Sequence, residues 1–228
     1  MILISILCIA KYFNSIIMEE QNQPLEDIRI IRKIMEDSSR FLSLSGLSGV
    51  SAGLFAIAGA IAAKMIIPDS IITGEGYSES FQASSEGLRI IRFLFADASI
   101  VLVLALASAF FFSWRKAKNE GKSVWTPVTK KMLVNLAVPL ATGGLFVIFT
   151  LGRVPGHISA SATLIFYGLA LINGSKFTLG EIFWLGLLEV ATGLICLLMP
   201  HHGLLLWAFG FGVLHVVYGL FMYIRYRG

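Results

Sequence analysis

This chain of 228 residues is poor in charge: Asp, Glu, Lys and Arg make up 14% of it. A soluble domain carries about 25%, so an ordinary water-soluble globule is excluded. Cysteine is also scarce, with Cys8 near the N-terminus and Cys196 inside an apolar run. That separation excludes a disulfide framework. No Cys/His cluster has ligand spacing, and no metal site is expected. A Walker-type phosphate loop, an HExxH zinc motif and a dinucleotide-binding GxGxxG are all missing. The nearest approach is Gly210-Phe211-Gly212, which lacks a third glycine and lies within an apolar run. No cofactor is expected, and no enzyme. The net charge of +4 is too modest for a nucleic-acid surface.

What is present is apolar length. Hydrophobic residues make up 56% of the chain, and the mean hydropathy is +0.79. Long apolar runs at this density mean an integral membrane protein in contact with a lipid bilayer. The expected fold class is all-α, a polytopic bundle of six transmembrane helices preceded by a cytoplasmic amphipathic helix. Spans are expected at about Leu42–Ile67, Ile90–Ser113, Met132–Leu151 and Ile158–Ile172. Two more form a closing hairpin between Phe177 and Gly228, joined at Pro200-His201-His202-Gly203. Pro139 and Gly143-Gly144 are expected to bend the third span. In the first, Ser45, Gly49 and Gly53 recur every four positions, as do Ala52, Ala56 and Ala60, a pattern that lets helices approach closely in lipid.

Three regions follow: an N-terminal extension over 1–23, an amphipathic helix over 24–40 and the transmembrane domain over 41–228. Within the extension, residues 1–17 are too short to span and lack a signal-peptide pattern. They read either as an over-called start, with Met18 the ordinary one, or as a membrane-surface segment. Pro24–Arg40 places Leu25, Ile28, Ile31, Ile34 and Met35 on one face and Arg29, Arg32, Lys33 and Glu36 largely on the other. It reads as a surface helix, or as a docking helix for a cytoplasmic protein partner.

Basic residues fall on alternate connections. The stretch from Trp114 to Lys131 holds six basic residues and one acid, whereas the loop Pro68–Gly87 holds Asp69, Glu75, Glu79 and Glu86 and no Lys or Arg. The positive-inside rule then places both termini in the cytoplasm. Trp114, Trp125 and Tyr226 fall at the cytoplasmic interface. Short matches hint at internal repetition: Ala141-Thr142-Gly143 leads to Tyr167-Gly168-Leu169, and Ala191-Thr192-Gly193 to Tyr218-Gly219-Leu220.

Few ionisable groups lie within the spans, and each needs a reason. Glu189 and His215 sit near the middles of the fifth and sixth spans, at depths where they can meet. They read as a proton-relay or substrate site, or as a structural hydrogen bond between helices. Lys64 and Asp97 form a second expected pair, an ion pair closing the first hairpin on the outer side. Gly46-Leu47-Ser48-Gly49 looks like the GxSG motif of rhomboid proteases. Ser48, however, is expected near the cytoplasmic end of the first span and His215 near mid-membrane, and the oxyanion elements have no counterpart in the second or third span.

Four stretches carry a resemblance: IRIIRKIMEDSSRFLSLSGLSGVSAG (28–53), FFFSWRKA (110–117), ATLIFYGLALINGSKFTLGEI (162–182) and WAFGFGVLHVVYGLFMY (207–223). In these the chain from Met18 onward resembles a family of uncharacterised multi-pass membrane proteins of Bacteroidota-type bacteria. The resemblance implies a bacterial inner-membrane location and no particular activity. Two functions are therefore expected. One is a non-enzymatic sensing, anchoring or regulatory role through Pro24–Arg40 and the basic loop Arg115–Lys131. The other is a small proton-coupled transporter or permease using Glu189 and His215.

Overall fold

The computed structural model describes residues 45–68, 71, 84–121, 123–151 and 153–226. The extension over 1–23 and the helix expected over Pro24–Arg40 lie outside the described residues. Every described element is helical, and six are long and apolar enough to cross a membrane. They are α1 (Gly46–Ile66), α2 (Ser85–Asn119), α3 (Pro127–Thr150), α4 (Gly156–Gly174, continued by a 3₁₀ turn to Phe177), α5 (Glu181–Leu198) and a composite sixth span. The sixth runs through a 3₁₀ turn at Pro200–His202, α6 (Gly203–Trp207), a π-helical stretch (Ala208–Leu214) and α7 (His215–Arg225).

Two helices start earlier than their apolar runs. Ser84 caps α2 by accepting a hydrogen bond from the Gly87 N–H at 3.0 Å. Thr126 accepts from the Thr129 N–H at 3.1 Å, with Pro127 in the first turn of α3. Both caps lie in polar sequence, so the helices begin outside the hydrocarbon stretch that hydropathy alone marks. Helix α3 runs unbroken through Pro139. Proline has no N–H for the carbonyl four residues back. That carbonyl, on Asn135, instead lies 3.5 Å from the Asn173 side-chain amide of α4, a long contact.

Lipid supplies no hydrophobic drive between helices, so close packing at small residues decides which helices pair. Helix α1 lays Gly46 and Gly49 against Gly219 of α7, and Gly53 against the Gly212 carbonyl. A Cβ on Gly219 would come within 2.5 Å of the Val50 nitrogen. The other face of α1 meets α2, through Gly59. Gly168 of α4 and Gly186 of α5 each abut the other's carbonyl, and Ser161 Oγ donates to the Gly193 carbonyl at 2.6 Å. Gly143 of α3 packs on Phe166 of α4. The sixth span lies between α1 on one side and α4 and α5 on the other.

The contacts thus run α2–α1–sixth span–α4/α5 and from α4 on to α3. Among the described residues α2 and α3 share no packed interface. They are also the least buried spans, with large side chains such as Val103 and Phe149 exposed toward lipid. Trp114, Trp125 and Tyr226 are exposed at helix ends on the side of the C-terminus.

Candidate functional site

Glu189 stands at the middle of α5 and is fully buried. His215 opens α7 and is buried beside it. The His215 Nδ1 lies 3.3 Å from Glu189 Oε1. Its other nitrogen, Nε2, lies 2.7 Å from the hydroxyl of Tyr167 on α4. Three spans therefore converge on one imidazole. Nδ1 also lies 3.1 Å from the Gly210 carbonyl, and the geometry there is that of a hydrogen bond. The approach to Glu189 is close without that alignment. Neither Glu189 carboxyl oxygen receives a hydrogen bond among the described residues.

The π stretch explains why Gly210 can serve two partners. A π turn widens the helix by one residue and is frequent at functional sites. Here it brings the carbonyl of Gly210 to the imidazole of His215. Gly210 also has no side chain to obstruct the acid, since a Cβ there would lie 2.6 Å from Glu189 Oε2 and would collide with Leu164. Phe211, one turn before His215, stacks on the imidazole at 6.2 Å between ring centres. It also meets Tyr167 and Trp207, each at 5.0 Å. Aromatic side chains thus line one side of the polar core.

This geometry suits proton exchange. With Nδ1–H given to the Gly210 carbonyl, Nε2 accepts from the Tyr167 hydroxyl. With Nε2 protonated, it donates to the Tyr167 oxygen instead, and the hydroxyl proton turns elsewhere. A proton on the Glu189 carboxyl has one basic nitrogen within reach, Nδ1. The imidazole can thus pass a proton between its Glu189 end and its Tyr167 end.

Lys64 and Asp97 are not brought together among the described residues. The Asp97 carboxylate lies against Gly59, with Oδ2 3.2 Å from where a Cβ would stand, whereas Lys64 is exposed more than a turn further along α1. The rotation of α2 sets this, and nothing in its nearly all-apolar circumference declares that rotation in advance. Ser48 donates to the Ser45 carbonyl, and the imidazole of His215 is engaged with Tyr167 and Gly210. No Ser48–His215 dyad forms. Arg89 pairs with Glu86 at 2.7 Å. No group of His, Cys, Asp and Glu able to hold a metal occurs among the described residues.

Comparison with known protein families, curated proteins and solved structures finds no match to this chain. What sequence reasoning missed is Tyr167, noticed only as part of a repeated Tyr-Gly-Leu, and Gly210, noticed only as a failed nucleotide motif. A polar-tipped aromatic at mid-span and a glycine one turn before an intramembrane histidine were the available signals. A second polar cluster closes the terminal side. There Arg225 Nη1 lies 3.4 Å from Glu181 Oε1, and the Tyr226 hydroxyl donates to the same oxygen at 2.7 Å. That hydrogen bond, more than burial, raises the Tyr226 phenol above its ordinary range.

Proposed function

We propose that this chain is a small proton-coupled membrane transporter or permease in which Glu189, His215 and Tyr167 hold and move a proton near the middle of the bilayer. One observation carries the reading: Glu189 is fully buried at mid-span, yet neither carboxyl oxygen receives a hydrogen bond among the described residues. A carboxylate kept only for structure would be surrounded by donors, because an unsatisfied acid in hydrocarbon is costly. One left with a single loosely aligned imidazole is arranged to give its proton up and take it back.

The test is proton flux in proteoliposomes under an imposed pH gradient. Glu189→Gln and His215→Ala should each abolish the flux while the detergent-purified chain keeps its expression and melting behaviour. Loss of folded protein with no specific loss of flux would mark the pair as structural.

A second reading is a non-enzymatic anchoring or regulatory role for the basic loop Arg115–Lys131. It is favoured by Lys118, Lys130 and Lys131, exposed beside Trp114 and Trp125. Such a strip attracts anionic lipid at about 1 kcal/mol per basic residue. Crosslinking within Pro24–Arg40 should capture a cytoplasmic protein on this reading. The charge alternation and the resemblance to Bacteroidota-type membrane proteins support a bacterial inner membrane with both termini cytoplasmic.

A further inference from the structure

The open side of the helix array, between α2 and α3, leads into a cavity of about 260 Å³. Its walls come from α1, α2, α3, α4 and α6, and almost all of its lining is apolar. The polar exceptions are Asp97, His157, Ser159 and Thr163, and the buried His157 Nδ1 has no hydrogen-bond partner among the described residues. No hydrogen bond or ion pair reaches the Asp97 carboxylate among the described residues. It lies roughly two turns short of the Ile66 end of α1, within the apolar part of the spans. Phe95 and Trp207 line the same cavity.

A lone carboxylate inside a transmembrane helix ordinarily faces a partner of opposite charge. Here no ion pair reaches the carboxylate among the described residues, and Asp97 lies against Gly59 while lining a cavity. The two aromatic side chains that line the cavity, Phe95 and Trp207, are of the kind that attracts desolvated cations. The volume falls just below the range of about 300–1,000 Å³ usual for drug-sized ligands. We infer that this cavity is a binding site for a small lipophilic cation, an amine or quaternary ammonium compound, entering from the bilayer between α2 and α3 with its charge on Asp97.

The site is separate from Glu189 and His215, and the inference stands whether or not those residues carry protons. The two are nonetheless joined by packing. Trp207 lines the cavity and meets Phe211, which stacks on His215 and touches Tyr167. A cation seated against Trp207 would press on the aromatic stack around the imidazole.

The probe is radiolabelled benzyltrimethylammonium, an aromatic quaternary cation, equilibrated with the full chain in lipid nanodiscs. Its uncharged carbon isostere, 2,2-dimethylpropylbenzene, serves as competitor. The wild-type chain should bind the cation saturably. Asp97→Asn, which keeps the shape and removes the charge, should weaken binding at least roughly tenfold. Asp97→Glu should restore most of the affinity, which separates a charge effect from a folding defect. The neutral isostere should compete at least roughly tenfold less well than unlabelled cation. Absence of saturable binding, equal binding by wild type and Asp97→Asn, or equal competition by the neutral isostere would each overturn the inference. Equal competition would mark the cavity as a seat for a lipid chain.

Discussion

Gly210 is the residue on which the buried acid depends most closely for room. A methyl group there would meet Glu189 Oε2 and Leu164 together, and neither can retreat within a packed interior. Gly210→Ala should therefore displace the carboxylate from Nδ1 and cost about 1–3 kcal/mol, the usual penalty for overpacking. Thermal unfolding in detergent measures the cost, and the flux assay the displacement. Tyr167→Phe is a milder change. It removes one hydrogen bond within the membrane, of a kind that averages about 0.6 kcal/mol. The fold should survive nearly unaltered, while the dependence of flux on pH shifts because Nε2 has lost its partner. At this scale the sequence was partly legible. The cost of charge in lipid singled out Glu189 and His215, and depth counting put them at one level. Tyr167 escaped because a tyrosine in an apolar run is unremarkable by composition. Its hydroxyl gains meaning only from the imidazole on a different span.

Among the elements, the π stretch Ala208–Leu214 and the glycine crossings determine what the site can be. Deleting Phe209, a partly exposed residue of that stretch, should return the helix to α pitch. At α pitch Gly210, five residues before His215, would no longer stand one full turn from it, so its carbonyl would leave the imidazole. The relay should then fail in the flux assay even where α7 remains inserted. The glycines give a sharper contrast. Gly219→Ala would force α1 and α7 apart at backbone contact and should cost about 1–3 kcal/mol. Gly144→Ala meets nothing within 4 Å and sits inside α3, so it should be neutral or stabilising by about 0.5–1 kcal/mol. Melting temperatures of the two variants check the ordering. Gly49 and Gly53 were legible as a close-packing stripe from their spacing alone. The helix that the stripe faces was not legible, because four-residue spacing says that something approaches and not what.

For the whole molecule, six helices long enough to span were readable from apolar length. Their neighbours were not. Faces of Leu, Ile, Val and Phe are alike to lipid and to protein, so no sequence signal separates α2 and α3, which leave a gap, from α4 and α5, which pack tightly. For the same reason Asp97 was expected to meet Lys64 and instead lies against Gly59. The proposed orientation carries its own prediction. In a chain whose native cysteines are replaced, a cysteine at His201 should react with a membrane-impermeant maleimide on intact cells. One at Trp125 should react only after permeabilisation, and the reverse pattern would invert the topology. The central claim, that Glu189 exchanges a proton inside the bilayer, is tested most directly by infrared difference spectroscopy of the reconstituted protein across a pH titration. The account predicts a pH-dependent carboxyl band in the wild type that is absent in Glu189→Gln and displaced along the pH axis in Tyr167→Phe. Identical difference spectra for the wild type and Glu189→Gln would contradict it.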